Sequence, residues 1–274
     1  MNQARPKLPG TSALLDTTLP NLTRIFDYLV GGTANFEVDR QAAEKMLKFI
    51  PSLRKWTRLR RAFIQEAAQI LHGEGFTQFL DLASGMPSNN HLHSFTPNCR
   101  IVYSDINPMA VSYGRNLFSD QSNITYIRGN GLEPETLLMA PELLKLIHRD
   151  KPVAIGLNGL PLFMSPEQTH HLAQTLYEWA PAGSKLFLVL QTHGDLTLPE
   201  RYFQFLELCK KAYLPIQLST LEDSLKMLEP WQPSLVEPIT RFLGLPEEFI
   251  TEADQEGIGM AFFVAILQKQ KQTE

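Results

Sequence analysis

Phe79-Leu80-Asp81-Leu82-Ala83-Ser84-Gly85-Met86-Pro87, followed by Ile101-Val102-Tyr103-Ser104-Asp105-Ile106-Asn107-Pro108, sets the expected architecture of this chain. The first stretch reads as a short buried strand running into a turn of small residues. The second reads as another buried strand ending in an acid. In doubly wound folds, a small-residue loop after one parallel strand and a carboxylate at the tip of the next hold a ribose-bearing cofactor. Ala83, Ser84 and Gly85 allow close backbone approach to a ligand. Asp105 can accept both hydroxyls of a ribose, a geometry that suits a carboxylate.

Outward from this pair, apolar runs of strand length recur at 76–82, 100–104, 124–128, 152–157 and 185–190. Candidate helices lie between them at 91–95, 108–117, 134–148 and 166–180. Such alternation implies right-handed crossovers and a mainly parallel sheet covered on both faces. Two last strands are expected at 213–219 and 260–268, separated by a Pro- and Leu-rich insert at about 221–250, which makes a seven-stranded α/β sheet. Upstream, residues 1–20 read as an irregular arm. Leu22, Ile25, Phe26 and Leu29 recur at helical spacing, and Gly31-Gly32 ends that helix. A second helix closes at Pro51, and a third is expected over 58–72. The chain therefore divides into an N-terminal arm and helical segment, 1–75, and a sheet-based core, 76–274.

With 274 residues and 43% hydrophobic content, the chain can bury a full core. A net charge of −4 gives no bulk attraction to nucleic acid or to an anionic membrane. The basic run Arg54-Lys55-Trp56-Thr57-Arg58-Leu59-Arg60-Arg61 reads as a solvated face plus one buried anion contact rather than a nucleic-acid patch. Two cysteines, Cys99 and Cys209, make no disulfide framework. No apolar run reaches the roughly 20 residues of a membrane span, and Met1 to Lys7 is not followed by a signal-peptide core. The expected location is the cytoplasm.

The expected cofactor contacts follow the strand ends. The first loop contributes Asp81, Ala83, Ser84, Gly85 and Pro87. The second contributes Asp105, Ile106 and Asn107, with Ile106 as an apolar wall for an adenine. Asn130 and Gly131 follow the third strand, and Asn158 follows the fourth. A dinucleotide would call for G-x-G-x-x-G after the first strand, and the loop has Gly85 alone among those positions. The phosphate-free S-adenosylmethionine, with S-adenosylhomocysteine as product, is therefore favoured over NAD.

Arg24, Asp27, Tyr28, Leu29, Gly31, Gly32, Asn35, Phe36, Asp39 and Arg40 form a spaced signature; Arg61-Ala62-Phe63, Gln78 to Pro87 and Val102 to Pro108 add to it. In these residues, from about Arg24 to Gln191, the chain resembles a bacterial family of S-adenosylmethionine-dependent methyltransferases once catalogued as a domain of unknown function. The resemblance implies a Rossmann-like class I methyltransferase fold with a helical lid over the strand ends. It also implies that Tyr28 and the Gly31-Gly32 backbone close on the methionine half of the cofactor, with Arg24 or Arg60 at its carboxylate. The chain departs from the family pattern at Ala83, where glycine is usual, and at Arg60, where asparagine is usual. Asn130 replaces an acid, and no Leu-His follows the fourth strand. The methyl of Ala83 is compatible with the loop if its φ is negative.

Methyl transfer needs a general base only when the acceptor must lose a proton. His193, after the fifth strand, is the candidate catalytic residue. His91 and His93 lie near the cofactor loop, and without a partner cluster they do not make a metal site. His170-His171 reads as a solvated helix face. The expected function is methylation of a small-molecule acceptor at oxygen or nitrogen. The alternatives are a non-catalytic regulator that binds the cofactor or its product, and an NAD-dependent oxidoreductase.

Overall fold

The computed structural model describes residues 15–193, 200–211, 216–256 and 260–270. Three helices come first: α1 (Leu22–Val30), α2 (Glu37–Phe49) and α3 (Leu53–Gly73). Asn21 caps α1 by accepting from the Thr23 N–H. Gly31, at φ 92°, turns the chain so that its own N–H and that of Gly32 reach the Tyr28 and Asp27 carbonyls. Helix α3 begins five residues before the expected Arg58. Leu53 and Trp56 extend the same apolar stripe as Leu59 and Phe63, and Trp56 stacks on Phe262 with ring centroids 3.9 Å apart.

The main elements that follow are β1 (Gln78–Leu82), β2 (Arg100–Asp105), α4 (Pro108–Leu117), β3 (Ile124–Arg128), α5 (Pro134–Leu138), α6 (Pro141–Leu146), β4 (Ala154–Gly156), α7 (Pro166–Trp179), β5 (Lys185–His193), α8 (Glu200–Lys211), α9 (Leu221–Met227), β6 (Gln232–Pro238), the short helices α10 (Ile239–Phe242) and α11 (Glu252–Glu256), and β7 (Met260–Gln268). The strands form one sheet in the order β3-β2-β1-β4-β5-β7-β6. Strands β1 to β5 run parallel, and β7 is antiparallel to both β5 and β6. Every residue of β1 is buried, as a strand covered on both faces requires. Phe79 faces the core made with α3 residues Phe63, Ala67 and Leu71, while Leu80 and Leu82 face the core made with Leu172 and Leu176 of α7.

Two expectations are corrected. Proline breaks the single helix expected over 134–148, because Pro141 has no N–H to continue the ladder and instead opens α6. The sixth strand lies inside the expected insert, not at 213–219. Residues 212–215 fall outside the described residues, and Ser219 makes only an isolated bridge to Thr192. Pro233 and Pro238 disguise β6 in the sequence. They are tolerated because β6 is at the sheet edge, and the register shifts between Pro233 and Leu235. Strand order reverses between β1 and β4, and the crevice at their carboxyl ends is where this topology places a ligand. Cys99 and Cys209 are free and buried. Among the described residues, no helix is long and apolar enough to cross a membrane.

Candidate functional site

A cavity of about 690 Å³ lies between the carboxyl ends of β1 to β4 and the N-terminal helices, a size that suits a small ligand. Its floor is built by Asp105. One carboxylate oxygen accepts from the Asn107 N–H at 2.8 Å, and the other accepts from the Gly85 N–H at 2.9 Å, so the acid at the end of β2 ties down the loop after β1. Ser84 completes the turn through its N–H to the Ser104 carbonyl (2.9 Å) and its hydroxyl to the Asp81 carbonyl (2.7 Å). Gly85 adopts φ 79°, and Ala83 adopts φ 54°. The condition of a negative φ at Ala83 is therefore not met. The Ala83 methyl sits in the left-handed region at a cost of about 1–2 kcal/mol, sustained by the hydrogen bonds on either side of it.

The roof is built from the N-terminal signature. Asp39 is its hub: it accepts from Arg24 Nε at 2.7 Å, from the Phe36 N–H at 2.9 Å and from the Asn21 N–H at 2.8 Å. Asp27 accepts from Asn35 Nδ2 at 2.8 Å, and Asn35 Oδ1 accepts from Arg40 at 3.0 Å. Roof and floor meet where Asn107 Nδ2 donates to Asn21 Oδ1 at 2.9 Å. Arg24 is fully buried in this scaffold, donates also to the Leu19 carbonyl and stands outside the cavity lining.

Arg60, Asp81, Ala83, Ser84, Gly85, Asp105, Ile106, Asn107, Asn130, Gly131 and Asn158 all line the cavity. Tyr28, Gly31, Gly32, Pro87 and His193 stand outside its lining. Tyr28 donates to Glu44 and carries the Arg54 guanidinium over its ring at 4.9 Å. Gly31 caps α1, while Gly32 packs so tightly on Asp27 that a Cβ would come within 2.1 Å of a carboxylate oxygen. His193 ends β5, its N–H donating to the Ser219 carbonyl, and Gly194 and Asp195 beyond it lie outside the described residues. The first two members of the basic run are spent internally: Arg54 pairs with Glu44 and Lys55 with Asp254. Its last two members, Arg60 and Arg61, both line the cavity. His91 and His93 diverge, His91 toward Asp81 at 3.8 Å and His93 onto the Tyr103 hydroxyl at 3.0 Å.

Arg61, His91 and Asp27 are cavity residues that the sequence reading did not assign to the cofactor. The adjacency of Arg61 to Arg60 was a signal, but which of two neighbouring helix residues faces the sheet depends on how α3 docks.

The electrostatics are those of a buried site awaiting charged partners. Burial pushes the Asp81 carboxyl up to about 7 against the pull of the Arg61 charge. Burial and the Arg61 charge hold His91 well below the usual imidazole value, so it is neutral. Asp105 and Asp27 are likewise raised by burial. Asp81 Oδ1, Arg61 Nη1, His91 Nδ1 and both amide atoms of Asn158 are buried without a well-formed hydrogen bond, although Asn158 lies near enough to Asp81 to favour its ionised form. Gly156 keeps the Asp81 and Asn158 side chains close, since a Cβ there would stand 2.5 Å from Asp81 Oδ1 and 3.2 Å from Asn158 Nδ2. Orphaned polar atoms of both signs around one cavity fit a ligand bearing an amino acid and a ribose.

A model of the S-adenosyl methyltransferase family matches residues 10–249. Among solved structures, a proposed methyltransferase from Thermobifida fusca YX is similar over 94% of this chain and 98% of its own, with 26% identity and a TM-score of 0.81. A DUF574 family protein from Streptomyces avermitilis MA-4680 covers 93% of this chain and 99% of its own at 24% identity and a TM-score of 0.80. The geranyl diphosphate C-methyltransferase of Streptomyces coelicolor A3(2) shares the fold alone, at 10% identity, a TM-score of 0.51 and 88% coverage of each chain. None of the curated proteins matches the sequence. The nicotinamide alternative falls with the family match. The chain belongs to the S-adenosyl methyltransferase family, a class I methyltransferase fold whose cofactor is S-adenosylmethionine.

Proposed function

We propose that the protein is an active methyltransferase that methylates an oxygen or nitrogen of a small-molecule acceptor. The observation that carries this reading is the set of buried, unpartnered polar atoms on Asp81, Arg61, Asn158 and His91 in one cavity. Leaving each unpaired costs about 1–3 kcal/mol, which a matching ligand recovers. Asp81 would hold the cofactor's ammonium, Arg61 its carboxylate and Asp105 its ribose hydroxyls. Ile106 would lie against the adenine, with Asn130 at its edge. The chemistry supplied by the bound cofactor is a sulfonium methyl open to in-line displacement. The chain contributes position and exclusion of water: α1 and α2 act as a lid, pinned to the floor by the Asn21–Asn107 bond. A small acceptor suits the remaining walls, which include Phe26, Met46, Phe163 and Met164. One protein of the same fold is named for such an acceptor, geranyl diphosphate.

The position of His193 outside the cavity favours a second reading, a regulator that binds cofactor and product without turnover. An assay over small hydroxy and amino compounds separates the two. Formation of S-adenosylhomocysteine with one or more acceptors is expected of the enzyme. Binding of both sulfur compounds without any transfer would favour the regulator.

A further inference from the structure

The cavity holds one more cation than the cofactor reading uses. Arg60 and Arg61 are consecutive on α3, so their side chains leave the helix about 100° apart. Arg61 lines the cavity and feels the charges of Asp81 and Asp27. The Arg60 guanidinium lies over the Phe26 ring, 4.7 Å from the centroid. One of its nitrogens fills the notch beside Gly159, where a Cβ would stand only 2.4 Å away. Gly159, at φ 93°, follows β4, across the point where strand order reverses. From there the cavity wall continues through Leu160, Phe163 and Met164.

No described residue accepts a hydrogen bond from Arg60 or forms an ion pair with it. Each acid of the cavity has other work: Asp105 holds the Gly85 and Asn107 N–H groups, Asp27 holds Asn35, and the one Asp81 charge is shared between Arg61 and Arg60 without bonding to Arg60. Burial brings the Arg60 guanidinium down to about 10, still charged at neutral pH. A charged fork among largely apolar walls with no anion bonded to it is a costly arrangement unless a ligand supplies one. Guanidinium geometry matches carboxylate and phosphate oxygens two at a time.

We infer that the methyl acceptor carries an anionic group, a carboxylate or a phosphate, which Arg60 receives while Phe26, Phe163 and Met164 hold its apolar body. This rests on the cofactor reading above, in which Arg61 takes the cofactor's carboxylate. Arg60 is then a specificity-determining residue on the acceptor side.

The test uses the full chain saturated with S-adenosylhomocysteine and titrated with hexanoate, hexyl phosphate and 1-hexanol. At least one anion is expected to bind and raise the melting temperature, and hexanol to do neither. A stronger response to hexanoate identifies a carboxylate acceptor; a stronger response to hexyl phosphate identifies a phosphate. Arg60→Gln is expected to weaken the anion by about tenfold or more and to leave affinity for S-adenosylhomocysteine nearly unchanged. Its free form should melt close to the unaltered protein, because the partly buried cation removed has no bonded anion. Arg60→Lys should retain part of the anion binding. Equal binding of hexanol, no binding of either anion, or loss of S-adenosylhomocysteine rather than anion affinity in Arg60→Gln would overturn the proposal. Failure of the unaltered protein to bind S-adenosylhomocysteine is read before any probe is added, and it would bring down the underlying cofactor reading instead.

Discussion

In Asp81 a cost of burial and a proposed function meet in one side chain. It is almost completely buried, its carboxyl is raised to about 7, and one of its oxygens has no partner. Because its folded value lies above the unfolded carboxylate value, folding takes up a proton. The free protein is therefore most favoured below the unfolded value and loses stability as pH rises toward 7. A cationic ammonium binds the ionised form, so cofactor binding should release a proton near pH 7, on the order of half a proton per site. Calorimetry of S-adenosylhomocysteine binding in two buffers of different ionisation heat reads this directly. Identical heats in both buffers would show that Asp81 does not meet the ammonium. The acids at the two strand ends were legible in the sequence, because doubly wound folds place them there. The conformation of Ala83 was not: nothing in Leu82-Ala83-Ser84 encodes a φ of 54°, which follows from the Ser84 and Gly85 hydrogen bonds to β2.

Among the elements, the helices that form the roof were legible, but the work of their residues was not. Much of the N-terminal signature is hydrogen-bonded within the roof. Arg24 and Asp39 form a fully buried pair, and Asp27, Asn35 and Arg40 form a second hydrogen-bonded chain. Local spacing gives the helix but not which neighbour a buried charge meets after the chain doubles back. For the same reason the sequence selected Arg60 for the cofactor, where the docking of α3 brings Arg61 to Asp81 as well. Strand β6 was missed because its two prolines contradict the usual strand pattern, and only its edge position allows them. Gly32→Val tests the roof. The new side chain must displace Asp27 from Asn35, which should cost the roof about 1–3 kcal/mol. Hydrogen exchange should rise over 22–49, and S-adenosylhomocysteine affinity should fall, while circular dichroism of the core stays the same. Unchanged affinity with faster exchange would mean that the roof does not close on the cofactor.

At the scale of the whole molecule, the sheet, the roof and the polar cluster converge on one place. The reversal of strand order opens the crevice, the loops after β1 and β2 build its floor, and three N-terminal helices cover it with two arginines facing inward. The fold would be stable without the charges of Asp81, Arg60 and Arg61, and a purely structural crevice would be better served by apolar side chains. Their presence supports the proposal that the crevice binds a ligand. The most direct measurement is calorimetric titration of S-adenosylhomocysteine into the unaltered protein and into Asp81→Asn. One site per chain is expected in the unaltered protein. Asp81→Asn should melt at the same temperature or higher, since a buried acid becomes neutral, and should bind about 10–100-fold more weakly. Undiminished binding by Asp81→Asn, or no binding by either protein, would contradict the assignment of this cavity to the cofactor.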